Sequence, residues 1–280
     1  MICLGIDGGG SKTTFLLMEQ EREICRIHSG PSNWLSVGAD AAAAAIRDGA
    51  GRLPGLSIDS VCGGFAGAGR REGMEFYSAV LTSLFPKSRI RVESDALVSY
   101  VGAIGLEPGV LLIAGTGSIA IARRKDSTMI RAGGWGPHFG DEGSGFWIGR
   151  EAVRAALHSL DRDEPEDFRA KIAAKLHVPS IRDVPARWAA GSIGVPDIAA
   201  LFPELVTMWP AEPAKEILQN AALHLKKLAT TAVDRAGVLD CPMSVSGSVA
   251  THPLIRSLIG ISFTEPKASP EFGAVLLARE

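Results

Sequence analysis

The chain has 280 residues, of which 46% are apolar and 21% are charged, and its formal net charge is −2. These are ordinary globular values, and the length allows two packed domains or one large one. The near-neutral charge and the absence of a long basic run argue against a nucleic acid or an acidic membrane as partner.

Cysteine usage and the first residues indicate a cellular compartment. The cysteines form no Cys-x-x-Cys pair, and two of them lie in apolar runs, as expected for reduced thiols. No basic segment precedes the first apolar run, and Asp7 interrupts that run, so we expect no signal peptide. The apolar stretch "GVLLIAGTGSIAIA" is too short and too rich in glycine for a membrane span, so we expect a cytoplasmic protein.

The opening stretch "ICLGIDGGGSKTTFLLM" (residues 2–18) resembles a phosphate-binding P-loop only at first sight. Ser11 separates Gly10 from Lys12, whereas a P-loop has Gly-Lys-Ser/Thr without a break. The β-branched and apolar run that follows predicts a second strand, so the glycines form the tip of a β-hairpin. An ordinary tight hairpin and an anion-binding nest of backbone N–H groups both fit this piece.

The remainder of the first half predicts alternating strands and helices. We expect a third strand at "EREICRI", a loop at "GPSNWLSVG", a helix at "ADAAAAAIRDGAGRL", a strand at "SVCGGFAGAG", a helix at "EGMEFYSAVLTSLF", a strand at "RIRVESD" and a helix at "ALVSYVGAIG".

The pattern starts again near residue 108. "GVLLIAGTGSIAIARR" again predicts strand, glycine turn and strand, and "MIRAGGWG" predicts a third strand. This weak internal duplication indicates two α/β domains, at residues 1–107 and 108–280, with the terminal helix able to pack back on the first.

More helix is predicted in the second half. Helices are expected at "SGFWIGREAVRAALHSL", "EDFRAKIAAKLHV", "PDIAALFPELVTMW", "AKEILQNAALHLKKLATTAVDRAG" and "PEFGAVLLARE", and strands at "MSVSGSVA" and "ISFTEP".

Two glycine hairpins that faced each other across a cleft would hold the phosphates of a nucleotide from both sides. Ser11, Thr116 and Ser118 would add hydroxyl donors to the backbone N–H groups. Asp7 could hold Mg²⁺ through water, since Mg²⁺ prefers few carboxylates and several waters.

The ordered set of motifs resembles the sugar kinase, Hsp70 and actin superfamily, and within it the N-acetylglucosamine kinase and BadF/BadG/BcrA/BcrD ATPase group. The matching segments are "GIDGGGSKT" (5–13), "GPSNW" (30–34), "ESDA" (93–96), "AGTGS" (114–118), "GGWGPHFGDEGSGFWIG" (133–149) and "VSGSVA" (245–250). The resemblance implies two RNase H-like, actin-like ATPase domains with a nucleotide and sugar cleft between them.

The resemblance also implies roles for individual residues. Asp95 matches the catalytic base that accepts the proton of the attacking hydroxyl; from its surroundings alone it could also be a helix N-cap. ATP contacts are implied at Gly8, Gly9, Gly10, Ser11, Lys12, Thr13, Gly115, Thr116, Gly117, Gly247 and Ser248, with the last two at the adenosine.

Sugar contacts are implied at Asn33, Asp95, Ser118, Gly134, Trp135, Gly136 and Asp141. From the residues alone, Asn33 could form an Asx-turn, Trp135 could be a core aromatic, and Asp141 could cap the helix that begins near Ser144. His138 and Glu142 are not assigned. Ile119 follows Ser118 where animal N-acetylglucosamine kinases carry a polar residue, so the choice between N-acetylglucosamine and glucosamine stays open.

The implied activity is ATP- and Mg²⁺-dependent phosphorylation of an amino sugar at its 6-hydroxyl, and homodimers are common among such relatives. One alternative is the family branch that activates radical dehydratases through an iron–sulfur cluster, which would need thiolate ligands. A second alternative is a non-catalytic nucleotide-binding regulator on the same fold.

Overall fold

Two units, each with its own β-sheet and helices, make up the computed structural model, which describes residues 1–280. Unit 1 contains Met1–Glu107 and Glu265–Glu280, and unit 2 contains Pro108–Thr264.

The sheet of unit 1 has five strands in the order β3-β2-β1-β4-β5. Their bounds are β1 Ile2–Gly8, β2 Thr13–Glu19, β3 Arg22–Ser29, β4 Ser60–Phe65 and β5 Arg89–Ser94. The first three strands form an antiparallel meander, and β4 and β5 continue the sheet in parallel from β1. Strands β2 and β4 are buried along nearly their whole length, which explains why they are apolar runs without alternation.

Five helices accompany this sheet: α1 Trp34–Val37, α2 Ala39–Gly51, α3 Arg71–Leu84, α4 Asp95–Ile104 and α12 Pro270–Arg279. The terminal helix α12 packs on β1 and α4 at very close range. A Cβ atom at Gly5 would lie 2.1 Å from the carbonyl oxygen of Glu271, so only glycine allows this approach of helix and strand.

The sheet of unit 2 has four strands in the order β8-β7-β6-β9. Their bounds are β6 Gly109–Ala114, β7 Ser118–Arg123, β8 Met129–Gly133 and β9 Met243–Ser246. Again the first three form an antiparallel meander, and the last pairs in parallel with the first. The predicted duplication and the mixed α/β fold are therefore confirmed.

Seven α-helices belong to unit 2. They are α5 Gly145–Asp161, α6 Asp167–Lys175, α7 Val184–Ala189, α8 Val195–Ala199, α9 Phe202–Thr207, α10 Ala214–Ala236 and α11 Pro253–Ile259. Helix α10 buries apolar residues at intervals of three and four, from Ile217 through Leu225 to Ala236, and ends at Gly237 in the left-handed conformation.

Three sequence predictions were wrong in detail. The segment "GPSNWLSVG" contains the one-turn helix α1, because Asn33 caps it. The segment "PDIAALFPELVTMW" forms two helices, α8 and α9, since Pro203 cannot continue a helix past Ala199. The segment "ISFTEP" forms no strand; only Thr264 makes an isolated parallel bridge, with Ser244 of β9.

Two short helices, α7 and α11, were not predicted at all. None of the helices combines the length and the hydropathy that a bilayer-spanning helix requires.

Candidate active site

The first glycine hairpin joins β1 to β2 and exposes backbone donors at its tip. The N–H of Gly9 donates to the carbonyl of Lys12 at 3.0 Å, which closes the turn. The N–H groups of Gly10 and Ser11 have no acceptor within the chain, and both residues are exposed. A Cβ at Gly8 would lie 2.4 Å from Ser32 Oγ, so glycine is required beside the next segment. Such bare N–H groups form an anion-binding nest.

The segment before Asn33 is tied to this hairpin. The hydroxyl of Thr13 donates to the carbonyl of Gly30 and accepts from the hydroxyl of Ser32, both at 2.7 Å, and Thr13 is fully buried. The carbonyl of Gly9 accepts from the N–H groups of Ser32 and Asn33. Thr13 therefore holds two loops together inside unit 1, rather than offering its hydroxyl to a ligand.

Asn33 begins helix α1. Its Oδ1 accepts from the N–H of Leu35 at 3.2 Å, so the expected local turn is present and the amide nitrogen stays free for a ligand. Tyr77 of helix α3 holds residues 32–34 in place. Its hydroxyl donates to the carbonyl of Ser32 at 2.7 Å and accepts from the N–H of Trp34 at 3.2 Å. No sequence pattern singled out Tyr77 as a residue of the site, because an aromatic residue on an amphipathic helix is usually part of the core.

Asp95 is the first residue of helix α4, directly after β5. Ser94 is the N-cap, since its Oγ accepts from the N–H of Leu97 at 3.2 Å, so the alternative reading of Asp95 as the cap was wrong. One carboxyl oxygen of Asp95, Oδ1, accepts from the N–H of Ala96 at 2.9 Å. Burial raises the pKa of Asp95, which makes it a stronger base than an exposed aspartate.

Asp7 lies near the end of β1 in the same unit. Burial, and to a lesser extent the charge of Asp95, raise the pKa of Asp7 to about 7, and Lys12 lowers it. The carboxyl groups of Asp7 and Asp95 therefore lie close enough to repel each other, and the exposed ammonium group of Lys12 offsets this only in part. A bound cation would relieve the repulsion between them.

The second glycine hairpin joins β6 to β7 and packs on the start of α5. The N–H of Gly115 donates to the carbonyl of Gly117 at 3.0 Å. The carbonyls of Gly115 and Thr116 accept from the N–H groups of Gly145 and Phe146, at 2.7 and 3.2 Å. The N–H groups of Thr116 and Gly117 have no acceptor within the chain, as at the tip of the first hairpin.

Asp141 lies between this hairpin and the loop that follows β8. It is 8% exposed, and burial raises the pKa of Asp141, while interactions with the backbone N–H groups of Ser118 and Gly136 favour its ionised form. A Cβ at Gly117 would lie 2.7 Å from its Oδ2. Ser144 caps α5 by accepting from the N–H of Trp147 at 3.1 Å, so the alternative of Asp141 as the cap was wrong.

We call residues 133–144 the sugar-side loop, after the role that the sequence implied for it. Ser118 joins it to β7, since the Ser118 hydroxyl donates to the carbonyl of Glu142 at 2.9 Å. The N–H of Gly134 donates to the carbonyl of Ser118 at 3.0 Å, and Gly134 and Gly136 both have positive φ. Trp135 is 66% exposed, so the reading of it as a core aromatic was wrong; the Arg131 guanidinium lies 4.2 Å from its ring centroid.

The turn after β9 contacts the second hairpin. Gly247 has φ +87°, and a Cβ there would lie 2.4 Å from the carbonyl oxygen of Ala114. The same oxygen accepts from the N–H groups of Val249 and Ala250. A Cβ atom at Gly115 would lie 3.9 Å from the Cα of Gly247 and 3.9 Å from the backbone nitrogen of Ser248. These three residues, all predicted to contact the nucleotide, therefore lie side by side in unit 2.

No group of three or more His, Cys, Asp or Glu side chains is arranged to hold a metal ion. Mg²⁺ does not need one, because it is usually held by one or two carboxylates together with waters and phosphates. Asp7, a half-buried carboxyl with the carboxyl of Asp95 nearby, fits that requirement.

The two units and their glycine hairpins define an actin-like ATPase fold. Within that class, the chain belongs to the BadF/BadG/BcrA/BcrD ATPase family, whose model matches residues 4–278. Membership of this family implies that the protein uses ATP.

Two relatives and one solved structure are similar over different shares of the chain. An N-acetylmuramic acid/N-acetylglucosamine kinase of Clostridium acetobutylicum is 37% identical over 299 aligned positions, covering 99% of this chain and 97% of the relative. An N-acetyl-D-glucosamine kinase of Dictyostelium discoideum is 33% identical over 181 positions, covering 59% of this chain and 57% of the relative. The crystal structure of a candidate N-acetylglucosamine kinase from Chromobacterium violaceum has the same fold, with a TM-score of 0.79 at 24% identity, and the match covers 99% of this chain and 98% of that one.

Proposed function

We propose that the protein is an ATP- and Mg²⁺-dependent kinase that phosphorylates the 6-hydroxyl of an amino sugar, N-acetylglucosamine or glucosamine. The ATPase family and the two kinase relatives support a phosphotransferase with a sugar acceptor. The observation that carries the proposal is Asp95, a half-buried carboxyl that does not cap its helix and so keeps one oxygen, Oδ2, for a substrate hydroxyl.

The reaction needs a base and a way to accommodate phosphate charge. The sugar O6 forms a bond to the γ-phosphorus while the bond from that phosphorus to the oxygen bridging it to the β-phosphate breaks, and ADP leaves. The hydroxyl proton passes to the free oxygen of Asp95. The raised pKa of Asp95 favours that transfer.

The hairpins supply preorganised donors for the phosphates. At each tip, two neighbouring backbone N–H groups lack an internal acceptor: Gly10 and Ser11 in unit 1, and Thr116 and Gly117 in unit 2. Fixed N–H dipoles of this kind stabilise negative charge without reorganising during the reaction. Lys12 adds a positive charge beside the first tip, while Gly247 and Ser248 form the turn proposed for the adenosine.

Mg²⁺ would be held near Asp7 through water. When bound, the ion neutralises charge on the phosphates and orients them. Asp7 holds the charge that attracts the ion, and Asp95 beside it remains available for the sugar hydroxyl.

The sugar contacts are proposed at the free amide of Asn33 and at the sugar-side loop, including Gly134, Trp135 and Gly136. Exposed Trp135 suits a contact with the apolar face of a sugar ring. Asp141 and Ser118 are engaged in bonds within unit 2, so we propose that they position the loop and the second hairpin. A cytoplasmic location and a homodimer remain predictions.

Neither alternative function is favoured. An iron–sulfur cluster needs several accessible thiolates. Cys3 and Cys62 are buried, and burial raises the pKa of Cys62 to about 12, which leaves Cys25 and Cys241 as the half-buried thiols, one in each unit. A regulator that only bound nucleotide would not need Asp95 and Asn33 in their observed positions.

A coupled assay of ADP release with Mg·ATP tests the proposal. It is run with N-acetylglucosamine, glucosamine, N-acetylmuramic acid, glucose and no sugar. We expect ADP release that depends on an amino sugar. ATP turnover that is the same with and without every sugar would refute the proposal in favour of an activator ATPase, and no turnover with any sugar would also refute it.

A further inference from the structure

The turn between β4 and α3 lies against the residues that begin α1. We call residues 66–69 the β4–α3 turn. Its Gly67 has φ +87°, and a Cβ atom there would lie 2.9 Å from Trp34 Nε1 and 3.3 Å from Asn33 Oδ1. The first distance is shorter than a Cβ atom normally tolerates, so only glycine leaves the indole and the neighbouring amide where they are.

The indole of Trp34 joins the β4–α3 turn to helix α3. Its Nε1 donates to the carbonyl of Gly67 at 3.4 Å, and its ring stacks on Phe76 with centroids 5.9 Å apart. Gly73 of α3 packs on the same carbonyl, since a Cβ atom there would lie 2.2 Å from the oxygen of Gly67. The turn, the indole and the start of α3 therefore form one packed layer beside Asn33.

One buried hydroxyl connects this layer to the segment that carries Asn33. Tyr77 is fully buried, and its hydroxyl oxygen lies 2.7 Å from the carbonyl oxygen of Ser32 and 3.0 Å from that of Ala66. The two carbonyls share its one proton, while the oxygen accepts from the N–H of Trp34 at 3.2 Å. Phenylalanine could satisfy none of these three backbone groups.

The same side chain lies within electrostatic reach of the proposed base. Its ring is fixed by stacking on Phe65, with centroids 4.1 Å apart. Burial raises the pKa of Tyr77, the bond from the N–H of Trp34 lowers it, and the charge of Asp95 raises it. One rigid side chain of α3 is therefore close to both the base and the segment that carries the amide proposed for the sugar.

We propose that Tyr77 and Gly67 are positioning residues for the acceptor sugar. Tyr77 fixes the backbone of the Asn33 segment through its hydroxyl, and Gly67 leaves the space beside the amide of Asn33. This proposal rests on the proposed function, in which that amide contacts the sugar. The first hairpin has its own closing bond, from the N–H of Gly9 to the carbonyl of Lys12, so loss of either positioning residue should weaken sugar binding far more than ATP binding.

The first test measures kcat and the KM values for amino sugar and ATP in wild type, Tyr77→Phe and Ser88→Ala. The sugar is N-acetylglucosamine or glucosamine, whichever the wild type phosphorylates faster. We expect Tyr77→Phe to raise KM for the sugar by about tenfold and KM for ATP by less than about twofold. Its kcat should stay nearly unchanged, as when binding is lost equally from the ground state and the transition state.

Ser88→Ala is the matched control for the loss of a hydroxyl bond. Ser88 also donates to a backbone carbonyl of unit 1, that of Ile58, at 2.7 Å. It lies just before β5, at the opposite end of that strand from Asp95. Both variants should lower the urea midpoint, but Ser88→Ala should change neither KM, which separates a positioning role from a merely structural one.

Gly67→Ala supplies a second test through the contact with Asn33 and Trp34. It should raise KM for the sugar by about tenfold and leave KM for ATP nearly unchanged. Gly191 is the control, because it also has positive φ, +70°, but no atom lies within 4 Å of a Cβ atom built there. Gly191→Ala should therefore reproduce the backbone strain and change neither KM.

Two results would overturn this inference alone. One is a rise in KM by equal factors for sugar and ATP, which would indicate a general loosening of unit 1. The other is an unchanged KM for the sugar in Tyr77→Phe and Gly67→Ala. A wild type that phosphorylates no sugar would instead refute the proposed function.

Discussion

Replacing Asp7 by asparagine should stabilise the ligand-free protein at neutral and alkaline pH. The folded carboxyl has a pKa of about 7, against 3.8 for an ordinary aspartate, because it is buried and lies near Asp95. Its pKa is higher in the folded state, so the unfolded chain loses the proton first as pH rises. The free energy of unfolding of the wild type therefore falls between about pH 4 and pH 7 on account of this group.

The size of the effect follows from the two pKa values. Since one pKa unit corresponds to about 1.36 kcal/mol, the difference sets an upper limit of about 4 kcal/mol above pH 7. Partial solvation at Asp7 and the adjacent ammonium of Lys12 reduce this, and we expect a gain of about 2 kcal/mol at pH 8. Asparagine has the same shape and carries no charge, so it introduces no cavity.

Urea unfolding of wild type and Asp7→Asn at pH 5 and pH 8.5, without nucleotide or divalent cation, measures the gain. The exposed Asp240 provides the control substitution, Asp240→Asn, which should leave stability unchanged at both pH values. The free energy of unfolding of Asp7→Asn should exceed that of the wild type by clearly more at pH 8.5 than at pH 5. The variant should also lose Mg²⁺-dependent activity. A gain that is equal at both pH values, or no gain at all, would refute the assignment of Asp7 as a carboxyl that the fold destabilises.

Two further substitutions separate positioning from capping in unit 2. Asp141→Asn should raise KM for both ATP and sugar by comparable factors, on the order of tenfold. The reason is that the one carboxylate interacts with Ser118 of the hairpin strand and with Gly136 of the sugar-side loop. A rise in KM for the sugar alone would instead indicate that Asp141 contacts the sugar directly. Ser144→Ala should lower the free energy of unfolding by about 1 kcal/mol through loss of the cap on α5, with a smaller effect on either KM than Asp141→Asn; an unchanged urea midpoint would contradict that role for Ser144.

Much of the fold was predictable because local signals agreed with the tertiary structure. Glycines between two apolar runs specified both hairpins, and their repetition specified two similar sheets. The long amphipathic pattern that ends at Gly237 specified α10. In each case a short-range pattern carries enough information, because turn chemistry and burial period act over few residues.

The errors fall where the outcome depends on side-chain partners or on neighbouring strands. Helix α1 has only four residues and depends on the cap by Asn33, which periodicity cannot detect. Residues 261–266 look like a strand, yet only Thr264 bridges to β9, since strand formation depends on an available partner edge.

The residues of the candidate site were proposed from motifs along the chain, and their roles stay predictions. Asp95 and the hairpin glycines follow from motifs along the chain, but the burial of Thr13 and Asp141 and the support from Tyr77 arise from contacts over long sequence separations. Gly67 and Asn33 lie on different loops, and no linear pattern connects them.

The most direct test of the central claim is the sugar-dependent rate of ADP release by wild type and Asp95→Asn, with ATP affinity measured in parallel. Asparagine can still accept the hydrogen bond from Ala96 but cannot take up a proton, so kcat should fall by about 10²–10⁴-fold while the Kd for ATP changes little. Asp240→Asn should behave as wild type. Sugar-dependent turnover in Asp95→Asn close to that of the wild type would contradict the account.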